Sequence, residues 1–321
     1  MASHKRAVVI GGVNLDVRAS CSKESYDTRS DASGHIAYAI GGCAYNVAWN
    51  LAFNNALSAE SPLNVCLMSA LNERSLDGQA LLAKIRAVGL DYKSLGRTTV
   101  SGGYIVHQPS PNTSAPSKAI TECPADAVVI DEKRLGEEID AADVVYTDTN
   151  IKAENLVKIL RLCAEGHKIV VIGVVSDDKA QRIVEAFAEA GLSDDVPTVV
   201  CMNALEAKTI QLGPLVDEID VVALRKHIGC QTLLITRGDR STLLACGDQP
   251  KIEIPVANQI AHHPNGAGDA FAATVVWFLG KGSTDWAVNA NTFSQHVQQV
   301  SPTGILEPAR DRHIGASGGS A

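Results

Sequence analysis

Between Asp143 and Thr236 the chain repeats one pattern: a short apolar run, then a segment with helical spacing. Residues 144–147, 169–175, 198–202 and 232–236 are the apolar runs. Residues 153–164, 179–190 and a stretch through 224–227 carry the helical spacing. This alternation predicts a parallel sheet with helices on both faces, because neighbouring parallel strands must be joined by a long crossover. The same signal opens the chain. Ala7-Val8-Val9-Ile10 suits a buried strand ending at Gly11-Gly12, and Val65–Ala70 suits another. Gly41-Gly42 starts a helix with Ala44, Val47, Ala48 and Leu51 as its apolar stripe. Gly78–Val88 forms a second helix, with Leu81, Leu82, Ile85 and Val88 on one face and Gly89 closing it. Polar residues recur where the strands end: Asn14 and Asp16, Asp148 and Asn150, Asn203, Thr236. In a sheet of this kind they gather along one edge, where ligands bind.

Three segments break the alternation. Residues 35–40 read as a weak strand with one exposed face. Residues 98–108 and 118–123 read as two strands joined by a Pro/Ser/Asn loop. Together they predict a small sheet that acts as a lid and excludes water. The expected division is a core of residues 1–16, 41–97 and 124–315, with a β lid of 17–40 and 98–123. Residues 18–33 are polar and turn-rich, and the tail 316–321 is expected to be disordered.

The formal charge of -8 argues against a nucleic-acid polymer as partner, since such binders need a basic face. It leaves room for a small anion held by local potential. The eight cysteines are scattered without a Cys-x-x-Cys pair, and several lie in apolar runs, which reads as reduced thiols in a cytoplasmic protein. No window reaches membrane-spanning length, so no membrane partner is expected.

The most informative motif is His263-Pro264-Asn265-Gly266-Ala267-Gly268-Asp269, which runs into the apolar stretch Ala270–Leu279. Small residues let backbone approach a ligand, and the free N–H groups of a first helical turn attract anions. Asp269 would repel a phosphate there unless its task is to take a proton from an attacking hydroxyl. A cradle for anions with a base on its lip suggests phosphoryl transfer; an ordinary helix start would look similar. Asp16 can accept two hydroxyl protons, as a sugar requires, or close an Asx turn. Gly11-Gly12-Val13-Asn14 lacks dinucleotide-binding spacing. Asn203-Ala204-Leu205-Glu206 fits a magnesium carboxylate, and fits a capping box better. In Thr236-Arg237-Gly238 a hydroxyl, an Arg and a glycine suit triphosphate contacts, as well as a plain turn.

The ordered set Asn14-x-Asp16, Gly41-Gly42-x-x-x-Asn46, Asn203-x-x-Glu206, Thr236-x-Gly238, Gly266-Ala267-Gly268-Asp269 and Ala290-Asn291 resembles the ribokinase-like, or PfkB, family of sugar and nucleoside kinases over most of the chain. The resemblance implies a three-layer α/β/α fold with a mainly parallel central sheet and a small β-sheet lid. It implies ATP-dependent phosphorylation of a hydroxyl. Asp269 would be the base, and Gly266, Ala267 and Gly268 the anion hole. Asn14, Asp16, Gly41, Gly42 and Asn46 would hold the substrate. Asn203 and Glu206 would serve ATP and Mg2+, Glu206 through water. Thr236, Arg237, Gly238 and Asn291 would line the nucleotide pocket. The lid is often the family's dimer surface as well, so a homodimer through it is an expectation.

One departure matters. Many members carry Asp-Thr-x before Gly-Ala-Gly-Asp, and that Asp helps bind potassium; here His263-Pro264-Asn265 replaces it, which puts activation by K+ in doubt. The middle of the chain, Tyr146–Ile151 and Val174–Lys179, is most similar to pseudouridine kinases, with Asn150 near the substrate. Ribose, fructose and other nucleosides stay open as acceptors. The reading from another class is a non-catalytic sugar or nucleotide sensor on the same fold.

Overall fold

Successive residues of the first strand serve two cores. Val8 and Ile10 pack into one layer of helices, Ala7 and Val9 into the other, and all four are fully buried. The period of two that sends side chains to opposite faces explains why this strand is apolar throughout. The computed structural model describes residues 5–21, 33–57, 62–100, 102–108, 118–192, 196–210, 218–256 and 266–292. In chain order the elements are β1 (Arg6–Ile10), β2 (Asn14–Cys21), β3 (Gly34–Gly41), α1 (Cys43–Leu57), β4 (Asn64–Ser69), α2 (Leu76–Ala87), β5 (Asp91–Ser94), β6 (Gly96–Arg97), β7 (Gly103–Gln108) and β8 (Lys118–Glu122). A 3₁₀ turn, Pro124–Ala127, leads to β9 (Val129–Ile130), α3 (Glu132–Asp140), β10 (Val144–Asp148), α4 (Ala153–Glu165), β11 (Ile169–Gly173) and α5 (Asp177–Ala190). Then come β12 (Thr198–Asn203), α6 (Ala204–Ile210), α7 (Val221–Ile228), β13 (Thr232–Arg237), β14 (Arg240–Cys246), β15 (Ile252–Ile254) and α8 (Ala267–Lys281).

The large sheet runs β15-β14-β13-β12-β11-β10-β1-β4-β5. It is parallel from β5 to β13, and β14 and β15 add antiparallel strands at one edge. Helices α1, α2 and α8 cover one face, and α3 to α7 the other. This is the expected three-layer ribokinase-like architecture. The strand order reverses between β1 and β10, where loops leave in opposite directions and open a crevice. The turns after β1 and β10 meet at that switch point.

The second sheet, β3-β2-β7-β8, is separate. Asn14 and Asp16 belong to β2 of this sheet, paired opposite Gly41 and Ala39 of β3, rather than to a turn closing β1. The strand at 35–40 is exposed on both faces as far as Tyr38, so the expectation of one covered face fails there. Other differences have local causes. The strand expected over 98–108 is limited to β7, with the two-residue β6 pairing β9 before it. Such short strands carry no readable period. Helix α3 buries only Leu135 and Ile139, one turn apart, in a mostly charged segment. Strands β14 and β15 pair outside the βα rhythm and were not expected. The Pro/Ser/Asn loop, His263-Pro264-Asn265 and the tail lie outside the described residues, as does most of the turn-rich stretch 18–33.

Candidate active site

Helix α8 begins at Gly266, whose φ of 80° is open to glycine and strained for other residues. The first helical hydrogen bond runs from Ala270 N to Gly266 O at 3.0 Å. No side chain of the described residues caps this end. The amides of Ala267, Gly268 and Asp269 therefore have no acceptor among the described residues, and a Cβ at Gly268 would meet nothing within 4 Å. Unpaired first-turn amides beside an uncrowded Gly268 are what an anion needs.

Asp269 sits in this first turn. Its Oδ2 accepts a hydrogen bond of 2.7 Å from Asn46 Nδ2, on the second turn of α1. The Cys43 thiol, at the start of the same helix, donates a second. Loss of water raises the carboxyl to about 7; the two donors oppose that rise, and the nearby charges of Asp148 and Glu206 add to it. A carboxylate poised near neutral pH is suited to accept a proton in a reaction run at neutral pH.

Asp148 is the other deep acid. It is fully buried at the end of β10, and its carboxylate accepts from Gly12 N at 3.2 Å and Asn150 N at 2.9 Å. Burial raises it to about 6 against the pull of those donors. It ties the turn after β1 to the turn after β10. Gly11 makes that approach workable, since a Cβ there would run into the Asp148 carboxylate. Gly42 is a similar case. Its φ is 95°, and a Cβ would strike the carbonyl of Gly12. The start of α1 is thereby packed directly on the turn that follows β1.

The expected substrate residues gather around this junction. Asp16 lies over Gly41, where a Cβ would overlap its carboxylate. Asn14 is 5% exposed, and its Oδ1 has no partner among the described residues; the same holds for Asn46 Oδ1. Buried amide oxygens without donors mark a place where a ligand's hydroxyls would fit. Asn150 is buried beside Gly12 and accepts from Lys179 Nζ at 2.9 Å.

The nucleotide-side residues divide. One cleft is lined by Gly266, Gly268 and Asp269 together with Asn203, Glu206 and Thr236. Asn203 and Glu206 form the capping box: Glu206 N donates to Asn203 Oδ1 at 3.0 Å, and Asn203 N to Glu206 Oε2 at 2.7 Å. Glu206 is nonetheless buried in the cleft, where loss of water raises its carboxyl above the usual range. Ser176 also donates its N–H to Glu206. Ser176 holds φ 54° and ψ 149°, a conformation nearly confined to glycine. Arg237, by contrast, directs its guanidinium to Ser241 O at 2.7 Å and Glu253 at 3.2 Å, across the β13–β14 hairpin and β15. Gly238 shapes that hairpin with φ 68°. The amide of Asn291 bonds Thr242 Oγ1 at 2.7 Å and Pro255 O at 3.0 Å, fastening the segment after α8 to the sheet edge. Neither Arg237 nor Asn291 lines the cleft. Sequence reasoning assigned no individual role to Cys43 or Tyr146, which do, nor to Asp148, marked only by its strand-end position and by the segment similar to pseudouridine kinases.

The model of the pfkB family carbohydrate kinases matches residues 4–297. The chain belongs to that family. It is an ATP-dependent phosphotransferase of the carbohydrate kinase type. Among solved structures it is similar to a ribokinase from Arabidopsis thaliana in complex with ribose and ATP (TM-score 0.71, 16% identity, 93% of this chain and 92% of that one). It is also similar to an adenosine kinase from Schistosoma mansoni in complex with 2-fluoroadenosine (TM-score 0.75, 16% identity, 95% and 98%). A carbohydrate kinase from Agrobacterium tumefaciens matches with TM-score 0.71 and 19% identity over 94% and 93%. In sequence, 91 residues are 29% identical to the bifunctional protein HldE of Shewanella denitrificans; that match spans 27% of this chain and only 19% of HldE.

The raised carboxyl of Asp269 has a consequence for stability. Its pKa in the fold exceeds the unfolded value, so the folded kinase binds the proton more tightly. The stability cost is absent below about pH 4, grows as pH rises, and is complete above about 7. Asp269→Asn removes it. We expect the variant to be more stable than wild type at pH 8, by on the order of 1–3 kcal/mol, and equal to it near pH 4. Urea midpoints at the two pH values check this.

Proposed function

We propose that this kinase transfers the γ-phosphoryl group of ATP to a hydroxyl of a ribosyl compound, with pseudouridine as the best single acceptor and its 5′-phosphate as product. The observation that carries the transfer chemistry is the pairing of Asp269 with the open amides at the start of α8. In this reading Asp269 takes the proton of the acceptor hydroxyl, and the amides of Ala267, Gly268 and Asp269 receive the charge on the moving phosphoryl oxygens. Asn46 holds the base in place through its Nδ2 and keeps its Oδ1 for the acceptor. Asn14, Asp16, Gly41 and Gly42 shape the acceptor side, with Asn150 beyond it.

Two solved relatives are described with ribosyl ligands, ribose in one and 2-fluoroadenosine in the other, which supports the ribosyl class. Pseudouridine itself rests on the segments Tyr146–Ile151 and Val174–Lys179. A sugar kinase is the second reading, favoured by the family's description as carbohydrate kinases.

The cleft also fits a magnesium ion. Glu206 is a buried hard-oxygen donor held by its cap and by the Ser176 N–H, and no cluster of three or more metal-ligating side chains occurs among the described residues. A cation bound mainly by ATP phosphates and water suits such a site, with Glu206 holding the water shell. When bound, it would neutralise phosphate charge. The free cysteines, most of them buried, support a cytoplasmic location. No helix among the described residues is long and apolar enough to cross a membrane.

ADP release measured on pseudouridine, uridine, adenosine, ribose and fructose, each with and without K+, tests the acceptor. We expect pseudouridine to give the highest kcat/KM without a requirement for K+. We expect Asp269→Asn to reduce kcat by at least about 100-fold while ATP still binds. Turnover on fructose alone would overturn the ribosyl class, and an unimpaired Asp269→Asn enzyme would overturn the base.

The lid sheet supports a homodimer. Tyr38, Val17, Ile105 and Ile120 lie in one cross-strand row over β3, β2, β7 and β8, on the face opposite Asp16. Tyr38, Ile105 and Ile120 are 63%, 50% and 74% exposed, and Ile36 on the same face is 57% exposed. An apolar row of this kind marks an interaction surface. Sedimentation should give a dimer for the wild type and a monomer for Ile105→Lys/Ile120→Lys; a monomeric wild type contradicts the assignment.

A further inference from the structure

Tyr146 projects from β10 on the face covered by α1 and α8 and is 1% exposed. It nevertheless lines the same cleft as Asp269, Glu206 and the start of α8. Its hydroxyl lies against Gly173 at the end of β11, where any Cβ would overlap it. The neighbouring strand has therefore left out a side chain at the one place that makes room for this oxygen. No hydrogen bond joins the hydroxyl to any described residue. A ring that merely filled the core would do so as phenylalanine. The hydroxyl is not sealed off with the ring: it faces the cleft without an acceptor among the described residues, which leaves its proton for a ligand. The carboxylates of Asp148 and Asp269 and the thiols of Cys43 and Cys201 surround it. Burial above all, and then that company, raises the phenol well above its usual range, so it stays protonated and can act as a donor.

We propose that the Tyr146 hydroxyl donates a hydrogen bond to a terminal phosphoryl oxygen of ATP, from the floor of the cleft opposite the open amides of α8. This deepens the kinase reading and rests on it for the identity of the nucleotide. The two sets of donors would then hold the phosphoryl group between them, the amides at the rim and the phenol below. Tyr146 would distinguish ATP from ADP, because only ATP carries an oxygen at that depth. The donor contributes most when charge moves onto the transferring group.

Tyr146→Phe tests this while keeping the ring that packs in the core. Three quantities are measured on the full-length enzyme: turnover, thermal midpoint, and affinity for ADP and for the ATP analogue with an imido bridge between its β- and γ-phosphates. We expect kcat to fall about 10–100-fold with the acceptor KM unchanged. We expect affinity for the imido analogue to fall about tenfold, with ADP affinity and the thermal midpoint held. Turnover within twofold of wild type would overturn the proposal. So would a parallel loss of ADP and analogue affinity, which a purely structural role predicts. The comparison of two nucleotides needs no turnover, so a wild type inert on every acceptor would fail the kinase reading without deciding this one.

Discussion

The site depends on one costly arrangement: a carboxylate kept from water at the mouth of a helix whose first amides are open. Asp269 would ionise freely in solvent and be a weak base. In the fold its proton affinity is raised to about 7 by desolvation, held from rising further by Asn46 and Cys43. Nearly every other feature of the cleft serves that placement. Helix α1 supplies both donors to Asp269, and it can reach them because Gly42 lets its start rest on the Gly12 carbonyl. The turn holding Gly12 is fixed in turn by Asp148. The residues proposed for the acceptor side and Asp269, the proposed base, are thus joined through backbone contacts that only glycine permits.

The same chain of contacts explains why the site lies where the strand order reverses. β1 and β10 are parallel neighbours whose loops leave in opposite directions. Asn14 and Asp16 enter from the small sheet, Asp148 and Asn150 from the large one, and α8 closes the cleft from above the other face. Among the described residues that line the cleft, an anionic ligand would meet amide dipoles and no basic side chain, which suits a protein of net charge -8.

Much of this was legible in the sequence because it rests on local rules. The βα rhythm marked β10 to β13 as strands of a parallel sheet, and the Gly-Ala-Gly-Asp turn announced a helix start with unpaired amides. The capping box of Asn203 and Glu206 was readable from three-residue spacing. What was not legible depends on contacts distant in sequence. Asp148 looks like any polar residue at a strand end until Gly11 and Gly12 are seen to close over it. Tyr146 reads as a core aromatic until Gly173 is found beneath its hydroxyl. Arg237 lies between two motif residues and Asn291 is one, yet the partners that take up their side chains, Glu253 and Thr242, come from strands outside the alternating pattern.

The most direct measurement is the pH dependence of kcat/KM for the acceptor at saturating magnesium–ATP. A base raised by burial to about 7 predicts activity that climbs through neutral pH with a single apparent pKa near that value and levels off above it. A profile flat from pH 5.5 to 8.5, or one whose limb falls in the ordinary carboxylate range near 4, would contradict the account.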